Sequence, residues 1–262
     1  MIELENVTVK YSKNQLRNSL ENVSFQADNE KIVFVGPNGS GKTTILKTIL
    51  GLVQITGGVV KVYGKNVNEI SNELSVSTNL PETYRLVGGT VRDIVNIYAE
   101  LRGGKPEEAL ALIESFNLTE TLSSKLFQLS SGQQKMVCNI LALCFSPRII
   151  LLDEPFDNVD QAGRLKLLLL IEKSQAEMMI NTHEFDLLNR LKDWSMYFII
   201  EGRLFGKFLC SQLKDLYLNK GEVESNIAIV ETSFGNFSIT QGTGAVPIAS
   251  ARNLNSLFDE VF

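Results

Sequence analysis

Apolar and polar residues alternate through Ile2, Leu4, Val7, Val9 and Tyr11, and again through Val23-Ser24-Phe25-Gln26-Ala27. That period of two predicts a pair of strands joined by a polar loop, an antiparallel opening to the chain. The pattern changes at Ile32-Val33-Phe34-Val35, a continuous apolar run too short for a helix, which Gly36-Pro37-Asn38-Gly39-Ser40-Gly41 brings to an end. From Lys42 to Leu50 the apolar residues recur at helical spacing, and Gly51 stands where a helix is closed. Val59-Val60-Lys61-Val62-Tyr63-Gly64 reads as a further strand and turn. Leu74 to Thr90 reads as a short strand and a long loop broken by Pro81 and Gly88-Gly89.

From Val91 to Ser146 the period is helical, in VRDIVNIYAEL, in a segment opened by Pro106, from Leu118 to Leu129, and from Lys135 to Phe145. Pro147 ends this block. Ile149-Ile150-Leu151-Leu152 is continuously apolar, as a parallel strand covered on both faces should be. Gln161 to Ala176 predicts a helix, Met178 to Thr182 a strand, 184–192 a helix and 196–209 a hairpin turning at Glu201-Gly202-Arg203. Beyond it the pattern weakens into a helix near 210–219, strands near 227–240, a Gly-rich loop and a last helix from Asn253.

Composition narrows the class. The 262 residues are 44% hydrophobic and 21% charged, enough for a sizeable core, in one large domain with or without an appendage. The longest apolar stretches fall far short of the roughly 18 to 20 residues that span a bilayer. The N-terminus carries no basic-then-apolar leader. The expected location is therefore the cytoplasm, at a membrane only where a partner holds the chain there. Cys138, Cys144 and Cys210 are three cysteines without CxxC spacing, which reads as small buried hydrophobes. A net charge of −5 and a pI near 5.2 argue against wholesale nucleic-acid binding.

The chemistry concentrates at three places. Gly36, Gly39 and Gly41 let the backbone fold into a nest of N–H groups, and the helix that follows adds its positive end, together a cradle for a di- or triphosphate. Lys42 would reach the β- and γ-phosphates, and the Thr43 hydroxyl would be one ligand of magnesium. A chance match to this GxxxxGK[ST] pattern is expected in about 1% of chains of this length. The second place is Asp153-Glu154 at the end of the apolar strand, where open α/β sheets put their ligands. Asp153 would hold the ion through a coordinated water, and Glu154 would polarise the water that attacks the γ-phosphate. The third is His183, the single histidine, which follows a buried-looking strand and could reach the same phosphate. Tyr11, at a strand end, offers an aromatic face to a base, although such residues are more often interface aromatics.

Leu129-Ser130-Ser131-Gly132-Gln133 matches LSGGQ at four of five positions, with Ser131 in place of a glycine, between the phosphate loop and the acidic strand. With these motifs the chain resembles the ATPase subunit of an ABC transporter over about residues 1–210. The resemblance implies an α/β fold of the P-loop NTPase class, ABC-ATPase type. Its parts would be a mostly parallel core sheet, an antiparallel β subdomain, an α-helical subdomain at about 80–146 and a small C-terminal α/β appendage at 211–262. It implies ATP and magnesium as ligands, the loop from Gly36 through Pro37, Asn38, Gly39, Ser40, Gly41, Lys42 and Thr43 to Thr44 as the phosphate site, and Tyr11 as the adenine-stacking aromatic. It makes Glu154 the catalytic base, His183 the switch histidine and Asp160 the D-loop acid. Asn79, in NLPE, stands where the family has a Q-loop glutamine that contacts magnesium. Ser130, Ser131, Gly132 and Gln133 would bind the γ-phosphate of ATP held by another copy or a related subunit. The implied assembly is a head-to-tail homodimer or heterodimer that powers separate transmembrane permease subunits. The alternatives are a soluble ABC-type ATPase acting as a mechanical module, and a non-hydrolysing regulatory partner.

Overall fold

The computed structural model describes residues 1–12, 17–69, 74–85, 87–233 and 235–250. Contacts divide the chain into two compact units, Met1–Ile70 with Asn181–Phe262, and Ser71–Ile180. Residues 211–262, expected as a small appendage, fall in the first unit. The first unit opens with β1 (Ile2–Val9), β2 (Leu20–Ala27), β3 (Lys31–Val35), α1 (Lys42–Ile49), β4 (Gly57–Val62) and β5 (Lys65–Asn66). The second holds β6 (Val76–Thr78), α2 (Pro81–Arg85), α3 (Val91–Arg102), α4 (Pro106–Ser115), α5 (Ser131–Leu143), β7 (Ile149–Asp153), α6 (Gln161–Lys173) and the start of β8 (Glu177–Thr182). The last two residues of β8 belong to the first unit, which continues with α7 (Phe185–Leu188), β9 (Ser195–Ile200), β10 (Arg203–Leu209), β11 (Leu216–Lys220), β12 (Asn226–Thr232), β13 (Gly235–Gln241) and β14 (Val246–Pro247). Among the described residues no helix is long and apolar enough to cross a membrane.

In the first unit the alternating opening becomes an antiparallel sheet in the order β2-β1-β4-β5. A register shift between Leu4 and Val7 inserts residues at the surface, so that Ile2, Leu4, Val7 and Val9 all stay inside. β3 is apolar without alternation because both its faces are covered, and Ile32 through Val35 are buried. It runs parallel to β9, from Ile32 opposite Ser195 to Val35 opposite Phe198. β9 turns into antiparallel β10 through Glu201 and Gly202, both with positive φ, the conformation that matches strand twist in a two-residue hairpin.

The C-terminal segment differs from its expectation. The predicted helix over 210–219 is a short 3-10 turn, Cys210–Asp215, followed by strand β11. Leu213 and Leu216 are spaced for a helix, but Leu216 and Leu218 are spaced for a strand, and pairing with β13 decides between them. The result is an antiparallel sheet ordered β12-β13-β11-β14. It is tied to the rest of the unit by Arg203, which bridges Glu21 at 3.1 Å and Glu231 at 2.9 Å. The predicted helix from Asn253 lies outside the described residues.

In the second unit β6 runs parallel to β7, with Val76, Ser77 and Thr78 opposite Ile149, Ile150 and Leu151. The helical block forms as expected except at 118–129, where two 3-10 turns, Thr119–Ser123 and Leu126–Gln128, replace a continuous helix. α3 begins at a reciprocal cap, the Thr90 hydroxyl and Asp93 each serving the other's backbone. α5 buries Met136 through Ala142. The thiols of Cys138 and Cys144 in this unit and of Cys210 in the other are buried, and burial pushes each up to about 12.

Candidate active site

The phosphate loop is held open by its own backbone. Gly36 leaves β3 with its N–H donating to the Thr182 carbonyl at 3.3 Å, and a Cβ there would lie 2.3 Å from the Ile199 carbonyl oxygen. Gly41, with φ of 110°, turns the chain into α1, where a side chain would strike the Ser19 carbonyl. α1 starts with no side-chain cap and no acid in its first turn, so no carboxylate opposes an anion there. Lys42, only 5% exposed, folds back and donates from Nζ to the carbonyls of Gly36 at 2.7 Å and Pro37 at 3.0 Å. The Ser40 Oγ is buried with no hydrogen-bond partner among the described residues, an orphan donor inside a loop of polar groups. These features fit a bound polyphosphate.

Two predicted residues come to this loop. The Tyr11 hydroxyl lies 3.3 Å from Thr44 Oγ1, and the residue is 56% exposed. His183 follows directly on Thr182, whose carbonyl receives the Gly36 N–H, which puts the histidine at the start of the loop. Thr43, in the first turn of α1, is partly exposed.

In the second unit β7 delivers Asp153 and Glu154, both partly exposed at the end of a buried strand. Glu154 has a positive φ of 43°, a conformation that non-glycine residues seldom adopt. Asn79, expected at magnesium, is bonded to the strand itself. The residue is 0% exposed. Its Oδ1 accepts the Asp153 N–H at 2.7 Å, while Nδ2 donates to the Asp153 carbonyl at 3.1 Å and to Asn139 Oδ1 at 2.8 Å. In this structure both atoms of the amide are engaged by the end of β7 and by Asn139.

Asn139 was not among the expected site residues, and nor was Lys135. Asn139 donates to the Pro155 carbonyl at 2.7 Å, and Lys135 donates to the Asp153 carbonyl at 2.9 Å. The available signal was Asn139 itself, a polar residue in the apolar run Val137-Cys138-Asn139-Ile140-Leu141.

The signature turn is a capped helix start. Ser130 Oγ accepts the Gln133 N–H at 3.3 Å, Gln133 Oε1 accepts the Ser130 N–H at 3.1 Å, and Gln133 Nε2 reaches Glu120 at 3.0 Å. Ser131 is exposed, and Gly132 packs so closely on the loop before α6 that a Cβ would sit 2.4 Å from the Asn158 carbonyl oxygen. Asp160 caps α6, its Oδ1 accepting the Gly163 N–H at 2.7 Å.

The family model described as ABC transporter matches residues 20–157. The chain belongs to the ABC transporter family. Among ABC transporter proteins it is similar to the energy-coupling factor transporter ATP-binding protein EcfA of Enterococcus faecium, 34% identical over 71% of each chain. The manganese transport system ATP-binding protein MntB of Bacillus subtilis is 30% identical over 78% of this chain and 86% of its own length. A crystal structure described as a candidate cobalt transport ATP-binding protein superposes with a TM-score of 0.89 at 36% identity, covering 99% of both chains. An ATP-binding cassette crystallised as a dimer with ADP and phosphate shares the fold, with a TM-score of 0.69 at 23% identity over 80% of this chain and 99% of its own. As a member of the ABC transporter family the chain is an ATPase subunit, and ATP is its ligand.

Proposed function

We propose that the chain turns ATP hydrolysis into work on a separate membrane permease, with the roles divided as follows. The loop from Gly36 to Thr44 cradles the phosphates, Lys42 neutralises them, and Tyr11 stacks on the adenine. Glu154 orients and deprotonates the attacking water, and His183 stabilises the γ-phosphate. The observation that carries this reading is the phosphate loop itself, where a side chain at Gly36 or Gly41 would strike backbone and where a buried lysine folds across. Thr43 and Asp153, both partly exposed, would each offer magnesium a hard oxygen donor of the kind it takes, a hydroxyl and a carboxylate. When bound it would offset charge on the β- and γ-phosphates.

Ser130, Ser131, Gly132 and Gln133 act on the nucleotide of a second cassette, so that ATP closes a head-to-tail pair and hydrolysis releases it. Asp160, which caps α6, is the D-loop acid in this reading. The pair is a homodimer or a heterodimer with a related ATPase, seated at the cytoplasmic face of the membrane. Exposed apolar side chains in the helical block, Phe127 at 65% and Leu101 at 50%, support a permease contact there. The transport names of the relatives favour this reading over a soluble mechanical module. Residues 211–262 remain a small appendage in this reading, with no chemical role assigned.

The test is Glu154→Gln. It should nearly abolish phosphate release while trapping an ATP-bound dimer, read by steady-state hydrolysis and by light scattering with magnesium and ATP. A variant that hydrolyses at the parental rate would remove Glu154 from the role of base.

A further inference from the structure

We infer that Asn79, Asn139 and Lys135 form a clamp that fixes the backbone on both sides of Glu154 and so sets where its carboxylate points. This inference rests on the reading of Glu154 as the base. The three side chains touch no reacting atom in it, and they are positioning residues.

Three observations carry it. First, the bonds fall on the residues that flank Glu154. Asn79 pairs with both the N–H and the carbonyl of Asp153, Lys135 adds a second donor to that carbonyl, and Asn139 holds the carbonyl of Pro155. Second, the residue between them sits at a φ of 43°, in the left-handed region that residues other than glycine adopt uncommonly. Third, the amides are committed to this task. Asn79 and Asn139 are both 0% exposed and bonded to each other at 2.8 Å. A buried amide is retained only where its partners demand it, and here every partner among the described residues is in the strand end or the other amide.

The helix adds a mechanical element. Lys135 and Asn139 are four residues apart on α5, hence on one face, and the same helix begins at Ser130. One helix therefore carries the signature turn at its tip and holds the backbone on either side of the base from its flank. A buried amide pair that served stability alone would lower the melting temperature and leave the kinetics of the folded protein unchanged.

The experiment is steady-state hydrolysis by the full chain carrying Asn139→Leu, Asn79→Leu or Lys135→Met, each alone and combined with Glu154→Gln, with circular dichroism and thermal melting of every variant. The expected result is a kcat about tenfold lower for either asparagine variant and about threefold lower for Lys135→Met, with KM for ATP within about twofold of the parent. In the Glu154→Gln background the same changes should alter the residual rate by less than about twofold, because the clamp has no base left to aim. Lys135→Met removes one partly exposed amine and keeps the aliphatic stem, so it reports even if the asparagine variants do not fold. Parental kcat in Lys135→Met and in any folded asparagine variant, a loss confined to KM, or an undiminished effect without the base would each overturn the clamp. A parental rate in Glu154→Gln alone would remove the base and the clamp together, whereas an inactive Glu154→Gln beside parental clamp variants would remove the clamp alone.

Discussion

Gly132→Ala asks whether the signature turn needs its glycine for space. The added methyl carbon would lie 2.4 Å from the Asn158 carbonyl oxygen, and contacts under 3.0 Å are not tolerated, so the loop before α6 must retreat by about 0.6 Å or more. The obstacle is backbone, which has no rotamer to escape into. Overpacking of this kind costs about 1–3 kcal/mol. For a protein of this size each kcal/mol moves the melting temperature by about 2–4 °C, which gives a fall of about 2–12 °C. A displacement approaching 1 Å at a reacting site lowers turnover by as much as about 100-fold. Differential scanning calorimetry and phosphate release from the same preparation measure both. Ser131→Gly is the control: Ser131 is exposed, and the change should stay within about 0.5 kcal/mol. If Gly132→Ala melts and hydrolyses like the parent, the close approach to Asn158 does not constrain the turn, and the reasoning fails.

Removing the α6 cap with Asp160→Ala should cost about 1 kcal/mol, a melting shift of about 2–4 °C that Asp160→Asn recovers; an Asn variant as unstable as the Ala one would speak against capping. Tyr11→Ala should weaken ATP binding by about two- to tenfold in titration calorimetry, whereas Tyr11→Phe, which keeps the ring and loses the 3.3 Å contact to Thr44, should bind as the parent does. The three thiols should resist an aromatic disulfide reagent at about pH 8 and react once the chain is unfolded. Their folded pKa values, about 12 against 9.0, favour the protonated form. That stabilisation is therefore complete below about pH 8.5 to 9 and is lost as pH climbs toward about 12. The urea midpoint should fall across that window, and by less in a Cys144→Ala variant.

What the sequence made legible was local. The phosphate loop is readable because its glycines, lysine and threonine are neighbours in the chain and each has a backbone or charge reason to be there. β7 is readable from four consecutive apolar residues, and the signature turn from a serine followed three positions later by a glutamine. What escaped depends on partners far away. Asn79 meets Asp153 across 74 positions and Asn139 across 60, so its neighbours could not show that the amide is sealed into a strand end. Resemblance alone pointed it at a metal. Leu216 and Leu218 fit two periods, and only the pairing with β13 selects one. The turns at 119–123 and 126–128 carry apolar residues at helical spacing without the continuity of a helix.

Lys42 has a consequence for what an affinity measurement reports. Its ammonium is already stripped of most water and shared between two oxygens of its own chain. A nucleotide that enters must coax this cation away from the polypeptide, so part of the attraction is a trade of one set of oxygens for another. In return the dehydration was settled when the protein folded, and the charge waits already aimed at the visitor.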